Sequence, residues 1–380
     1  MVCDIRKTLY YSSTHIIFLS LLLIELTSLP IYSFHLTDGD SHEDDFVNKV
    51  NHDLSVISIP RITAKSDTDS VAPHHPIIDE VHPDTLEKTV RDLASFHTRH
   101  TESKFIDDVA YWLTMKLQSI CGRGTYVHNF THIPDKDDVD SEHRQEPPSY
   151  YLKNIVCEKP GSTNNTIIIS AHYDNRMEDI NNSTARAPGA DDDASGVSAL
   201  LEVARILSKI DLEHSIHFVL FSGEEQGKWG SREYADHIDE TDVDLDLLIN
   251  LDMIGFPLHG TNNFLIEYDN GNAVQHNDKH SHTVGNFIKG LASRYTNLNA
   301  TLGVLGNADY LPFEALGYTV IGFHDDGVTK NPNYHKTSDT PDTLDYEYLS
   351  SVAKLTLATI LSIDELTTAD SIAATGRDTS

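Results

Sequence analysis

The sequence is poor in basic residues. Its 380 residues contain 28 Lys and Arg against 59 Asp and Glu, which gives a formal net charge of −31 at pH 7. Such a surface repels the phosphate backbone of nucleic acids and the anionic face of a membrane, so we expect neither as a partner. The hydrophobic content of 39%, with 13 Phe and 16 Tyr, argues against a chain that is disordered throughout.

Cysteine is also scarce. The sequence has three cysteines, at Cys3, Cys121 and Cys157, which is too few for a small domain held together by several disulfides. Cys3 lies in a segment that we expect to be removed. Cys121 and Cys157 then form an even pair, which in an exported protein is a candidate disulfide, although two buried free thiols fit nearly as well.

The apolar run near the N-terminus is too short to cross a bilayer. Ile16 to Ile24 is apolar, follows the basic residues Arg6 and Lys7 and ends at Glu25, whereas a membrane-spanning helix needs about 20 such residues. Residues 1–33 are therefore predicted to be a signal peptide, with an uncleaved signal anchor as the alternative. We expect a secreted protein, or else one in a vacuole or lysosome-like compartment or anchored in the membrane by the signal.

Sequons for N-glycosylation agree with export. Five N-x-Ser/Thr sequons predict a glycoprotein, and they lie at Asn129, Asn164, Asn181, Asn182 and Asn299.

Composition divides the rest of the chain. Residues 34–76 are acidic and rich in Ser, Thr and Asp, which is typical of a pro-segment or linker, and residues 134–149 have the same character and predict a surface insertion. Residues 77–366 are predicted to form one folded domain and residues 367–380 a disordered tail.

Within the predicted domain, strand-like and helical patterns alternate. Helical spacing occurs at Leu86, Val90 and Leu93 and again after Phe105. Strand-like apolar runs cover residues 165–171, 215–222, 246–253 and 318–323, and a helical pattern lies between the first two. Near-continuous apolar strands alternating with helices predict an α/β fold. We expect a three-layer sandwich with a mostly parallel mixed sheet and helices on both faces.

Histidines and carboxylates stand where these strands end. They lie in the segments HYD (172–174), PGADDDASG (188–196), GEEQ (223–226), LDM (251–253) and YHKTSDT (334–340). Each segment alone has an ordinary explanation, such as a helix cap or a solvated loop. Ligands in open α/β sheets bind beyond the carboxyl ends of the strands, so five such segments at one edge predict a site. Imidazole and carboxylate ligands without thiolate suit a zinc site with open coordination positions.

Together these segments resemble the secreted bacterial-type leucyl aminopeptidases, which are di-zinc exopeptidases of the superfamily that also holds glutaminyl cyclases and the transferrin receptor ectodomain. The resemblance runs from about Leu86 to Leu361, with the motifs in family order. It implies a zinc-dependent aminopeptidase, a monomer that acts on peptides with a free N-terminus.

The resemblance also implies residue roles. His172, Asp192 and Asp252 would hold one Zn²⁺, and Asp192 with Glu225 and His335 would hold the second. Glu224 would be the general base, and Asp174 would orient the ring of His172.

One motif departs from the family pattern. Many relatives have His where this chain has Tyr310, within the segment Ala308–Phe313. This substitution does not affect the metal ligands, and a tyrosine hydroxyl could still donate to a developing oxyanion.

Two alternative functions remain. A glutaminyl-cyclase-like acyltransferase would typically use one zinc, and a non-catalytic binding ectodomain would have lost ligand residues. The five metal positions are all present in this chain, which favours the aminopeptidase.

Overall fold

The structure of the protein is a computed structural model that describes residues 76–133, 149–241, 243–326 and 331–375. The predicted signal peptide, nearly all of the predicted pro-segment and most of the acidic insertion lie outside the described residues. The described residues all belong to one unit of the chain, which runs from Ile59 to Ser380.

Among the described residues, eight strands form one mixed sheet. The strands are β1 (Thr125–His132), β2 (Tyr150–Lys159), β3 (Asn165–His172), β4 (Ser215–Phe221), β5 (Asp244–Leu251), β6 (Asn263–Tyr268), β7 (Asn299–Val304) and β8 (Val320–Asp325). Their order in the sheet is β1-β2-β4-β3-β5-β8-β6-β7. The central strands β4, β3, β5 and β8 are parallel to one another, and β6 and β7 are parallel to each other. The pairings β1–β2, β2–β4 and β6–β8 are antiparallel.

The seven α-helices of the described residues cover both faces of the sheet. They are α1 (Pro83–Ser95), α2 (Ile106–Cys121), α3 (Ala194–Leu207), α4 (Trp229–Glu240), α5 (Asp278–Tyr295), α6 (Leu311–Ala315) and α7 (Tyr346–Thr375). The side chains of β3 alternate between two apolar clusters: Ile167 and Ile169 join the larger one and Ile168 the smaller one. Because strand side chains point alternately to opposite faces, the sheet is buried on both sides. The predicted fold class is therefore confirmed.

The described residues of the long C-terminal helix continue past the predicted end of the domain. Helix α7 runs to Thr375, so the segment 367–375, which we predicted to be disordered, is helical. No Pro or Gly interrupts the sequence between residue 346 and Gly376, and a Gly just after the last helical residue is a common end signal. None of the described helices combines the length and the apolar character that a bilayer-spanning helix requires.

A disulfide joins helix α2 to the sheet. Cys121 at the end of α2 is bonded to Cys157 in β2, which decides between the two states that the sequence left open. The bond closes a loop with a sequence separation of 36 residues around β1. It ties α2 to a strand that lies next to the edge strand β1.

Candidate metal centre

The five predicted metal ligands lie together at the carboxyl ends of the parallel strands. His172 is the last residue of β3, Asp252 directly follows β5, and Glu225 follows β4. Asp192 precedes helix α3, and His335 lies in the loop after β8. All five are buried, with 8% exposure or less. The topology brings them together because β3, β4, β5 and β8 are parallel neighbours and end at the same edge.

These residues form two groups that share one carboxylate. Ligand atoms of His172, Asp192 and Asp252 lie within 4.8 Å of one another, and so do those of Asp192, Glu225 and His335. Asp192 Oδ1 is 3.3 Å from His172 Nε2, while Asp192 Oδ2 is 3.0 Å from His335 Nε2. Each oxygen of this carboxylate therefore faces a different imidazole, as a ligand shared by two ions requires.

The remaining distances complete each group. Asp252 Oδ1 is 3.6 Å from His172 Nε2, and Glu225 Oε2 is 3.1 Å from His335 Nε2. Among the described residues, Glu225 Oε1 is one of the buried side-chain atoms without a hydrogen-bond partner. Buried polar atoms of this kind are rare unless an ion or water completes them. The donor set of two imidazoles and three carboxylates therefore fits zinc.

The electrostatics of the residues agree with this fit. Burial alone would lower the pKa of His172, but its contacts with Asp192 and Asp252 outweigh burial and raise that pKa well above the usual value. Burial raises the pKa of Glu225, and the nearby carboxylate of Asp192 raises it further. The site thus concentrates negative charge in a buried space, which a bound cation would compensate.

Glu224 lies beside this centre and belongs to neither group. Burial raises the pKa of its carboxyl well above the usual value. The charge of His172 opposes this effect, while Asp309, Glu225 and Asp252 strengthen it. A buried carboxyl group that belongs to neither ligand group is suited to proton transfer.

Asp174 has a wider role in positioning than the sequence predicted. His172 Nδ1 is 3.2 Å from the backbone oxygen of Asp174 and 3.8 Å from its Oδ1, so the nearest partner of the imidazole is the carbonyl. The carboxylate instead accepts hydrogen bonds from the backbone N–H groups of Gly223, Glu224 and Glu225 at 2.9, 3.2 and 3.2 Å. Asp174 therefore fixes the turn that presents both glutamates.

Asp193 and Asp339 are functional-site residues that the sequence analysis missed. Asp193 caps helix α3, where its side chain accepts from Gly196 N–H, and it also accepts from the backbone N–H groups of His172 and Met253. Asp339 accepts from the backbone N–H of Asp191 at 2.9 Å and of Asp192 at 3.3 Å. Both were visible in the motifs, but only as members of acidic segments whose partners are distant in sequence.

A fully buried arginine supports the same loops. Arg99 donates to the backbone oxygens of Tyr173, Pro188 and Gly189 at 2.8, 2.6 and 2.8 Å. These carbonyls lie between His172 and Asp174 and just before Asp191. Gly189 has φ of 54°, and a Cβ there would lie 2.5 Å from Asn175 Nδ2, so only glycine fits beside this arginine.

Tyr310 is not placed as the sequence suggested. Its side chain is fully buried, and its hydroxyl donates to Glu267 Oε2 at 2.6 Å while accepting from Gly306 N–H at 2.7 Å. The hydroxyl is therefore engaged in linking the loop before α6 to strand β6, and the structure gives no support for an oxyanion contact.

A buried set of imidazoles and carboxylates at the carboxyl edge of an α/β sheet is typical of metal-dependent hydrolases. The model of Peptidase family M28 matches residues 154–360, and the chain belongs to this family. The predicted resemblance is thereby confirmed.

Individual relatives agree with this assignment. A protein of Pyrenophora tritici-repentis named "Probable zinc metalloprotease" is 30% identical over 338 residues, which cover 76% of this chain and 75% of the relative. A protein of the same name from Pyrenophora teres f. teres is 30% identical over 187 residues, and there the match spans only 38% of the relative's length. The crystal structure of Legionella pneumophila LapA aminopeptidase has a TM-score of 0.62 at 21% identity, covering 76% of this chain and 74% of that one. At this identity the likeness shows the shared fold.

Proposed function

We propose that this chain is a zinc-dependent aminopeptidase that hydrolyses the N-terminal peptide bond of peptides. The observation that carries the proposal is a pair of ligand groups that share Asp192, with the carboxyl of Glu224 beside them and outside both. Each of these groups is called a half-site below. Membership of Peptidase family M28 supports a peptide substrate. The names of the fungal relatives support zinc as the metal.

Metal binding, proton transfer and positioning are assigned to different residues. His172, Asp192 and Asp252 would hold one zinc ion, and Asp192, Glu225 and His335 would hold the second. Two ions bound there would supply Lewis-acid activation of water and of the scissile carbonyl. Glu224 accepts a proton from the attacking water at its carboxylate and returns it to the leaving amine. Asp174 holds the Gly223–Glu225 turn, so that Glu224 keeps its place while this transfer occurs.

A substrate panel tests the reaction. The unsubstituted protein should hydrolyse aminoacyl anilides and peptides with a free N-terminus, and should leave the same peptides intact when they are N-acetylated. A chelator should abolish the activity and Zn²⁺ should restore it. Cleavage of acetylated peptides at the same rate would contradict an aminopeptidase. Activity that survives complete removal of the metal would contradict a role for zinc.

The same panel separates the alternatives. A peptide with N-terminal Gln would lose only ammonia if the protein were a glutaminyl-cyclase-like acyltransferase, and would lose the whole residue if it were an aminopeptidase. A non-catalytic binding ectodomain would leave every peptide unchanged. Mass spectrometry of the products distinguishes these three results.

We also propose that the protein is exported, N-glycosylated and monomeric. The proposal is supported by the exposure of all five sequon asparagines, Asn129, Asn164, Asn181, Asn182 and Asn299, and by the disulfide, since such bonds persist in oxidising compartments. Protein recovered from the medium of a eukaryotic host should lose mass on enzymatic removal of N-glycans and should elute as a single chain. Retention inside the cell without glycans would contradict this proposal.

A further inference from the structure

An arginine outside the predicted site contacts one of the predicted metal ligands. Arg176 lies in the loop after β3, and its Nε donates to Glu225 Oε2 at 2.8 Å. Its Nη1 donates to the backbone oxygen of Met177 at 3.2 Å, which fixes the plane of the guanidinium. The side chain of Arg176 is 21% exposed, whereas that of Glu225 is only 4% exposed. The ion pair is therefore largely removed from water.

The oxygen that Arg176 contacts is also the one that faces the other ligands. Glu225 Oε2 lies 3.1 Å from His335 Nε2, and the same nitrogen lies 3.0 Å from Asp192 Oδ2. An ionised carboxylate oxygen has two lone pairs, so it can accept from Arg176 and still bind a metal ion. The guanidinium thus holds Glu225 in the orientation in which Oε2 points toward His335 and Asp192.

The segment that carries Arg176 also contacts the second ligand of this half-site. The backbone N–H of Glu178 donates to the backbone oxygen of His335 at 3.0 Å. Among the described residues, the hydrogen bonds of Arg176 run to Glu225 and Met177 and not to His172 or Asp252. The contacts therefore concern the half-site formed by Asp192, Glu225 and His335, and not the other one.

Charge explains why this glutamate needs support. The carboxylates of Asp192 and Glu225 both lie next to His335 Nε2, with side-chain exposures of 6% and 4%. Like charges that are this close and shielded from water repel each other strongly. The guanidinium of Arg176 offsets part of this repulsion from the side of Glu225. The fork of an arginine holds the carboxylate in one orientation better than a lysine would, because its donors are fixed in one plane.

We propose that Arg176 is a positioning residue that sets the zinc affinity of the half-site formed by Asp192, Glu225 and His335. The inference rests on the proposed function only in taking this site to bind zinc. Residues that hydrogen-bond to metal ligands typically contribute about 10- to 100-fold to metal affinity. Replacing Arg176 with a residue that cannot donate should therefore lower the affinity for one of the two zinc ions by this factor. The affinity for the other ion should stay unchanged.

The test is a zinc titration of the full chain after metal removal, read by competition with a chromogenic chelator and not by activity. The unsubstituted protein should bind two ions. In Arg176→Met the affinity for one ion should fall about 10- to 100-fold, and in Arg176→Lys it should fall less, because the charge remains. In Asp252→Asn, which lacks a ligand of the other half-site, the remaining ion should show the same loss when Arg176→Met is added.

A second arginine on the same loop is the matched control. Arg186 donates to the backbone oxygens of Ala94, Phe96 and His97 and contacts none of the five metal ligands through these bonds. Arg186→Met should leave both zinc affinities unchanged, while circular dichroism of both metal-free variants checks the fold. Unchanged zinc affinity in Arg176→Met would overturn the inference, as would an equal loss in Arg186→Met. If the unsubstituted chain bound no zinc, the proposed function would fail as well.

Discussion

At the residue scale, two adjacent glutamates have different surroundings. The carboxylate of Glu225 contacts His335 and Arg176 and belongs to a metal-ligand group. The carboxyl of Glu224 belongs to neither group, and burial raises its pKa. The difference arises in the turn after β4, where hydrogen bonds from three successive backbone N–H groups to Asp174 fix the direction of each side chain. One glutamate is thereby available for metal binding and the other for proton transfer.

This division predicts the effect of Glu224→Gln. Glutamine keeps the shape of the side chain but cannot accept the proton, so the turnover rate with an aminoacyl anilide should fall at least about 10²-fold. Zinc content should stay unchanged, because Glu224 is in neither ligand group. Glu240→Gln, at an exposed position at the end of α4, is the control and should keep full activity. A normal rate in Glu224→Gln would exclude Glu224 as the general base.

The residues that the sequence predicted and those it missed differ in a physical way. Imidazoles and carboxylates beside the strand and helix patterns predicted a site, and the resemblance to a known family then implied which five residues bind metal. These are His172, Asp192, Glu225, Asp252 and His335. Their neighbours Arg99, Arg176 and Asp339 were not predicted, because their partners are backbone groups or side chains that become adjacent only on folding. A motif shows which chemistry a residue can perform, but not which distant loop it supports.

At the element scale, the central strands were predictable and the outer ones were not. The apolar runs at 165–171, 215–222, 246–253 and 318–323 correspond to β3, β4, β5 and β8, with ends shifted by a few residues. These strands are buried on both faces, so they lack polar alternation. Strands β1 and β7 lie at the sheet edges, and β6 lies next to β7. These three strands contain exposed or half-buried positions and polar residues, so their apolar pattern in the sequence is weaker.

A buried imidazole joins helix α7 to the start of strand β4 and to strand β5. His214, just before β4, has Nδ1 at 3.1 Å from Asp364 Oδ1 on α7 and Nε2 at 3.3 Å from Asp246 Oδ2 on β5. Burial alone would lower the pKa of His214, but the two aspartates outweigh it and raise the pKa to about 9. The imidazole is thus charged at neutral pH and joins a helix and two strands.

This tie predicts an unusual dependence of stability on pH. The folded pKa of about 9 is above the unfolded value of about 6.5, so the stabilisation is complete below pH 6.5 and is lost as pH rises through 9. Asp364→Asn should lower the free energy of unfolding in urea by about 1–3 kcal/mol at pH 6, and by less at pH 9.5.

The control for this effect is an exposed ion pair on helix α1. Asp92→Asn removes the partner of Lys88, which should cost at most about 1 kcal/mol, and equally at both pH values. If the loss in Asp364→Asn were the same at pH 6 and pH 9.5, the charge of His214 would not contribute to stability.

At the scale of the whole molecule, acidity is both a surface property and a property of the site. The net charge of −31 reflects 59 acidic residues. Three of them, Asp192, Glu225 and Asp252, are buried members of the proposed metal-ligand groups, and Glu224 and Asp174 lie beside them. The surface acids are solvated and contribute little to the fold. The buried ones repel each other at one edge of the sheet, and they are partly offset by Arg99 and Arg176. Metal binding and the stability of the whole chain should therefore be coupled.

That coupling can be measured by thermal unfolding. A zinc ion present at 100 times its dissociation constant stabilises the folded state by about 2.7 kcal/mol, and each kcal/mol raises the midpoint by roughly 2–4 °C in a domain of this size. Zinc should thus raise the midpoint of the metal-stripped protein by several degrees for each bound ion, whereas Mg²⁺, which prefers an octahedral set of oxygens, should not. Asp192→Asn changes the ligand that both groups share and should remove most of the zinc-dependent shift. An undiminished shift in Asp192→Asn would mean that zinc stabilises the chain from some other place, because both half-sites would then lack the carboxylate that they share.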